Sequence, residues 1–179
     1  MLKRTLLMLC CVASAHAAPS NNAADDIERY MAERGLVAQM EQVRQSLGNS
    51  ASTLVGNAMT FLGVPYRRGG TSETTGFDCS GFVRSVFEQT VGKVLPRSAS
   101  EQAAATEKID KQDLQPGDLV FFNTMRKTFS HVGIYVGDNK FIHSPRSGQR
   151  VRIEDMRDSY WQHRFTGARR VQQANGDNN

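Results

Sequence analysis

Phe77-Asp78-Cys79-Ser80-Gly81-Phe82-Val83-Arg84-Ser85-Val86-Phe87 is the stretch on which the reading of this 179-residue chain turns. Phe82, Val83, Val86 and Phe87 recur at helical spacing and form one apolar stripe, as expected of a helix pressed into a core. Asp78 stands where an N-cap belongs, able to accept from the orphan N–H groups of the first turn. Cys79 then falls in that first turn. Unpaired N–H groups and the macrodipole favour negative charge there, which predicts a lowered thiol pKa and donors for an oxyanion. Gly76 lets the preceding loop turn tightly. Without a partner base, the plainer reading is a structural cysteine on a core helix.

Upstream, Leu54, Val55, Ala58, Met59 and Leu62 mark a helix from Ala51 to Leu62, ended by Gly63 and Pro65. Residues 67–77 read as a polar, glycine-bearing loop. Residues 21–50 carry Ile27, Tyr30, Met31, Leu36, Val37, Met40, Val43 and Leu47 near helical spacing, and Gly48-Asn49-Ser50 is expected to end that segment. Downstream, Ser98 and Glu101 have the spacing of a capping box. After Pro116-Gly117-Asp118 the period changes. Leu119 to Phe122, His131 to Val136, Lys140 to His143, Val151 to Ile153 and Phe165 to Val171 read as short strands. Helices first and strands afterwards predict an α+β domain, with helices packed on a small antiparallel sheet.

The N-terminus has the three parts of a secretory signal: Lys3 and Arg4, the apolar Leu6 to Ala13, and the small-x-small site Ala15-His16-Ala17. The organisation expected is therefore a signal over 1–17, a helical or linker segment over 18–50, a catalytic domain over 51–171 and a loose tail over 172–179. Export to the periplasm or beyond follows. A lipid anchor is not expected, because the residue before Cys10 or Cys11 is not the small one such processing favours. Past the signal, no apolar run approaches the roughly 20 residues of a spanning helix. The full chain has 22 basic and 18 acidic side chains. Losing Lys3 and Arg4 leaves a nearly balanced chain, unlike the clustered basic surface of a nucleic-acid binder.

Processing also leaves Cys79 as the lone thiol and His131, His143 and His163 as the histidines. His131 and His143 lie in neighbouring predicted strands. They share a face only if residues of like parity pair across the hairpin. A two-residue turn at Asp138-Asn139 would put them on opposite faces. A three-residue Gly137-Asp138-Asn139 loop pairs Val136 with Lys140 and Gly133 with His143, placing the rings on one face within reach. Such a loop or an equivalent bulge is predicted, with Asn139 left-handed. His131 would then take the Cys79 proton, and His143 would accept a hydrogen bond from its far nitrogen. Zinc held by Cys79, His131 and His143 is the rival use of these atoms, but no closely spaced ligand pair supports it. Neither metal nor cofactor is expected.

Six ordered motifs resemble NlpC/P60 cysteine peptidases: Gly63-Val64-Pro65-Tyr66, Gly69-Gly70, Phe77 to Val83, Leu95-Pro96-Arg97-Ser98, Gln115 to Leu119 and His131 to Tyr135. The resemblance runs from about Ala51 to Val171. It implies a papain-like fold and cleavage of peptidoglycan stem peptides or cross-links, with Cys79 as nucleophile, His131 as base and His143 as third polar residue. By the same resemblance Tyr66 shapes the oxyanion or substrate site, and Asp78 and Ser80 touch substrate or merely cap the helix. Arg97 and Ser98 are read as opening a helix. Tyr160-Trp161 followed by Ala168 to Val171 is similar to the MepS/Spr-type murein endopeptidases, which cut D-alanyl–diaminopimelate cross-links. Other members cut the γ-D-glutamyl–diaminopimelate stem bond. A thiol amidase or acyltransferase acting on another small amide, and a non-catalytic wall-binding module, stay open as alternatives on the same fold.

Overall fold

The computed structural model describes residues 36–124 and 127–172, so the signal reading and the 172–179 tail, but for its first residue, lie outside the described residues. Contacts divide the chain into two units, Met1–Val43 and Arg44–Asn179. Of the first, only the start of helix α1 is described. The architecture below is that of the second.

Helix α1 spans Leu36–Thr60 without a break, so the expected interruption at Gly48-Asn49-Ser50 does not occur. Gly48, Asn49 and Ser50 together cost the helix about 2 kcal/mol in propensity, which the burial of Leu54 and Ala58 farther along it offsets. The helix ends at Thr60, and the turn that follows reverses the next two side chains. Phe61 is buried and Leu62, expected in the core, is exposed. A short hairpin, β1 (Thr71–Ser72) with β2 (Gly76–Phe77), fills the loop expected over 67–77 and leads into α2 (Cys79–Val91). All four residues of the predicted stripe on α2 are buried. Helix α3 (Ala99–Ala104) opens on the predicted Ser98–Glu101 capping box, with both reciprocal hydrogen bonds present.

The sheet has six antiparallel strands: β3 (Glu107–Ile109), β4 (Leu119–Phe122), β5 (His131–Gly137), β6 (Lys140–His143), β7 (Arg152–Asp155) and β8 (Phe165–Arg170), in the order β3-β8-β4-β5-β6-β7. A short helix α4 (Ser159–Gln162) stands between β7 and β8. Strand β4 is buried at all four positions because both sheet faces are covered. One face packs Leu119, Phe121, Val132, Ile134 and Ile142 against Phe77, Phe82, Val83 and Val86. The other holds a smaller cluster of Val120, Phe122, Phe141, Met156 and Trp161. A strand buried on both sides loses the alternation that marks a half-exposed one, which is why Leu-Val-Phe-Phe reads as a continuous apolar run.

At the β5–β6 hairpin the register differs from the expected loop in detail but keeps its consequence. Asp138 and Asn139 both adopt left-handed backbone, φ 51° and 58°, and form a two-residue turn with Gly137 opposite Lys140. Val136 is the extra residue of a bulge, and beyond it Tyr135 faces Phe141 and Ile134 faces Ile142. The bulge restores like-parity pairing, as the histidines demanded. No helix among the described residues is long and apolar enough to cross a membrane.

Candidate active site

Cys79 is held half-buried at the end of a loop whose backbone packs closely at Gly70 and Gly76 and against Gly81. A Cβ on Gly81 would lie 2.1 Å from the Gly70 carbonyl oxygen, and one on Gly70 would lie 2.2 Å from that of Gly76. The loop is tied down where Asp78 N–H donates to Gly70 O at 3.1 Å and Ser144 Oγ donates to Phe77 O at 2.7 Å. The second bond joins the end of β6 to the residue that precedes the cap.

Asp78 is the N-cap, as expected, accepting from Gly81 N–H at 2.7 Å. Its carboxylate does more than cap. Gly69 N–H donates to Oδ2 at 3.0 Å, and Arg97 clamps both oxygens at 3.0 and 2.5 Å. Arg97 also donates to Ser80 Oγ at 3.0 Å, and Ser80 is buried. Both side chains are thus engaged within the protein, and Arg97, read from sequence only as opening a helix, holds them together.

The Cys79 thiol is free and half-buried. Burial and then the Asp78 charge push its pKa up to about 11, against the backbone N–H groups of Val132, Ser80 and Cys79 that favour the thiolate. The lowering expected from the helix N-terminus is therefore outweighed. Desolvation penalises the charged form directly, while the helix supplies only partial charges, already shared with the Asp78 cap.

Strand β5 supplies the other wall. His131 starts the strand and is buried, and its Nε2 lies 2.6 Å from His143 Nδ1 across the hairpin. The two nitrogens face each other in one hydrogen bond, so their lone pairs do not converge on a common metal position. Gly133 makes this approach possible: a Cβ there would meet Phe141 Cδ2 at 2.6 Å and His143 Cβ at 3.2 Å. Burial, then the neighbouring His143, holds the His131 pKa well below the usual imidazole value, while Glu154 opposes. His143 is lowered by burial and raised in part by Glu154. Burial thus favours the neutral form of both rings.

Around them stand residues that sequence reasoning did not place in the site. Trp161 stacks on His131 at 5.8 Å between centroids and meets His143 edge-on at 5.2 Å. Its Nε1–H donates to Glu154 Oε2, and Arg152 donates to Oε1. Glu154 Oε1 lies 3.7 Å from His143 Nε2. Period-two parity across the hairpin, carried on to β7, puts Glu154 opposite Phe141 on the face of the histidines, but only once the register is known.

Cys79 and His131 open into one cleft of about 980 Å³, which Tyr66, Asp78, Ser80, Glu154 and Trp161 also line. Burial first, then Cys79 and Asp78, raise the Tyr66 pKa, so its hydroxyl remains a donor. Arg68 and Arg146 reach the same cleft, exposed and without an ion pair among the described residues. Chemically, the cleft offers a thiol, a neutral imidazole with an oriented neighbour, and N–H and O–H donors.

Comparison with known proteins points to one family. The NlpC/P60 family model matches residues 63–170. The chain is 47% identical over 116 residues to murein DD-endopeptidase MepH of Escherichia coli (strain K12), a match covering 63% of this chain and 43% of that protein. It is 46% identical over 118 residues to the gamma-DL-glutamyl hydrolase of Bacillus subtilis (strain 168), covering 65% and 28%. Among solved structures, an NlpC/P60 family protein from Bacillus cereus ATCC 10987 superposes with a TM-score of 0.63 at 38% identity, covering 67% of this chain and 39% of that one. The matches thus span less than half the length of each of these three proteins.

Proposed function

The chain belongs to the NlpC/P60 family, and from that premise we propose that it is an exported cysteine peptidase of peptidoglycan peptides, with Cys79 as nucleophile and His131 as base. The observation that carries the reading is the junction of two walls. Cys79 at the start of α2 and His131, which is hydrogen-bonded through Nε2 to His143, line the same cleft.

With Nε2 engaged, Nδ1 of His131 is the nitrogen left for the thiol. In the proposed reaction Cys79 begins as S–H, and His131 Nδ1 takes that proton as the sulfur attacks the scissile carbonyl. The Cys79 N–H at the helix start and the Tyr66 hydroxyl stabilise the oxyanion. The imidazolium returns its proton to the leaving amine, giving an acyl-thioester. Water then attacks the thioester with His131 again as base, and the thiol is regenerated. His143 keeps the His131 ring turned throughout.

The substrate class is supported by the names of the relatives and by cleft charge. Arg68 and Arg146 present guanidiniums to the cleft, suited to the carboxylates that wall stem peptides carry. The relatives at 47% and 46% identity are named for different bonds, so identity does not choose between cross-link and stem cleavage. We read residues 1–17 as the export signal, residues 51–171 as the catalytic domain, and Tyr160-Trp161 as favouring the cross-link.

The test is digestion of purified peptidoglycan by the protein lacking residues 1–17 and by its Cys79→Ala variant, with products identified by mass. Cross-linked dimers falling to intact monomers are expected for the wild type, and a loss of at least about 10⁴-fold for the variant. Truncated stems instead would assign the γ-D-glutamyl bond. A wall left untouched by the wild type would remove the reading.

A further inference from the structure

We propose that Glu154 is a positioning residue that, acting through His143, fixes His131 in the tautomer whose Nδ1 is free to take the Cys79 proton. The proposal rests on the assignment of Cys79 and His131 as nucleophile and base.

Donors and acceptors must match along this chain of groups. His143 is wholly buried, and its Nε2 has no hydrogen-bond partner among the described residues. The group that faces it is Glu154 Oε1 at 3.7 Å, too long for a hydrogen bond but close for a charge in a dry setting. An ionised carboxylate can only accept. It therefore selects the His143 tautomer with a proton on Nε2 and a lone pair on Nδ1. Across the 2.6 Å contact His143 Nδ1 is then the acceptor, and His131 Nε2 must be the donor. A neutral imidazole carries one proton, so His131 Nδ1 is left as a lone pair. One acceptor thus sets two tautomers in sequence.

The surroundings hold Glu154 in the state this requires. Burial acts to raise its pKa, but His143 and Arg152 draw it down to about 2, so it is ionised throughout the working range. Its oxygens are engaged separately, Oε2 by Trp161 Nε1–H and Oε1 by Arg152. Trp161 stacks at 5.8 Å from the His131 ring with the planes tilted by 23° and stands edge-on to His143, so the side chain that engages the carboxylate also bounds both imidazoles. The charged groups facing the pair are Glu154 and Arg152, both from β7. Helix α4 contributes Trp161, and helix α2 the Cys79 thiol.

The experiment is ¹⁵N-histidine NMR of the wild type and of Glu154→Gln, with no wall substrate present. It reads the rings directly, so its outcome stands even if the digestion assay is silent. Expected in the wild type are both rings neutral at pH 7 and protonated on Nε2. In Glu154→Gln the carboxamide can donate as well as accept, so His143 loses its single tautomer. The titration midpoints of both rings move to lower pH, because the carboxylate had favoured the imidazolium. A wild-type His143 protonated on Nδ1 overturns the proposal, as does a folded variant that keeps both tautomers and both midpoints. If the variant fails to fold, the wild-type spectrum decides alone.

Discussion

On the helical wall of the cleft Cys79 sits among fixed dipoles, with the Asp78–Arg97 pair fastened around it, while on the sheet wall His131 sits in a box of Trp161, His143 and Phe122. The helical wall holds position through close backbone approach at Gly70 and Gly81 and through a carboxylate with every oxygen in use. The sheet wall holds position through stacked rings and one short hydrogen bond. Both walls are desolvated, and desolvation acts on them with opposite chemical sign. It raises the thiol and lowers the imidazoles, so each favours its neutral form. Burial thus favours thiol and imidazole over the ion pair that the helix dipole alone suggests.

The two walls part most visibly at the base. His131→Ala removes the proposed proton acceptor and is expected to lower turnover about 10³-fold, within the range of general-base catalysis. His143→Ala leaves the acceptor and removes only its orientation, for an expected loss nearer 10-fold to 100-fold with KM little changed. Steady-state kinetics on cross-linked muropeptides would measure both. Equal losses would mean that His143 shares the chemical role.

The neutral ground state has its own signature. A thiol with a pKa raised to about 11 gains thiolate as pH rises. Its alkylation by iodoacetamide should therefore climb about tenfold per pH unit through the neutral range. A plateau across pH 6–8 would instead indicate a preformed thiolate–imidazolium pair, and would reverse the view of which effect wins at the helix N-terminus. In protein lacking residues 1–17 Cys79 is the lone cysteine, so the rate there reports on one site.

The smallest effect expected is on stability. Asp78→Ala removes a cap and leaves Arg97 without its partner, which should cost about 1–3 kcal/mol in urea unfolding. Arg97→Ala should cost less, because its side chain is 39% exposed and the cap survives. If the two variants unfold alike, the Arg97 clamp rather than the cap holds the helical wall.

Much of this site was legible without coordinates because its parts are local. A stripe of four apolar residues behind Asp78-Cys79 specifies a helix and the face it buries, and the side-chain period of two specifies that His131 and His143 must be brought to one face. The bulge at Val136 is the device that meets this demand, and its need followed from counting residues even though its form did not. Local pattern misjudged the break at Gly48, where tolerance of one glycine depends on the residues around it, and the side of Leu62, which a turn reversed. Tertiary structure alone decided the rest. Arg97 reaches Asp78 from 19 residues away, and Glu154 and Trp161 reach the histidines across strand pairings whose register no single segment contains. The pKa of Cys79 belongs to the same class. A helix dipole can be read from position in the sequence, but loss of water depends on everything that closes around the sulfur, and in this protein that loss is the larger effect.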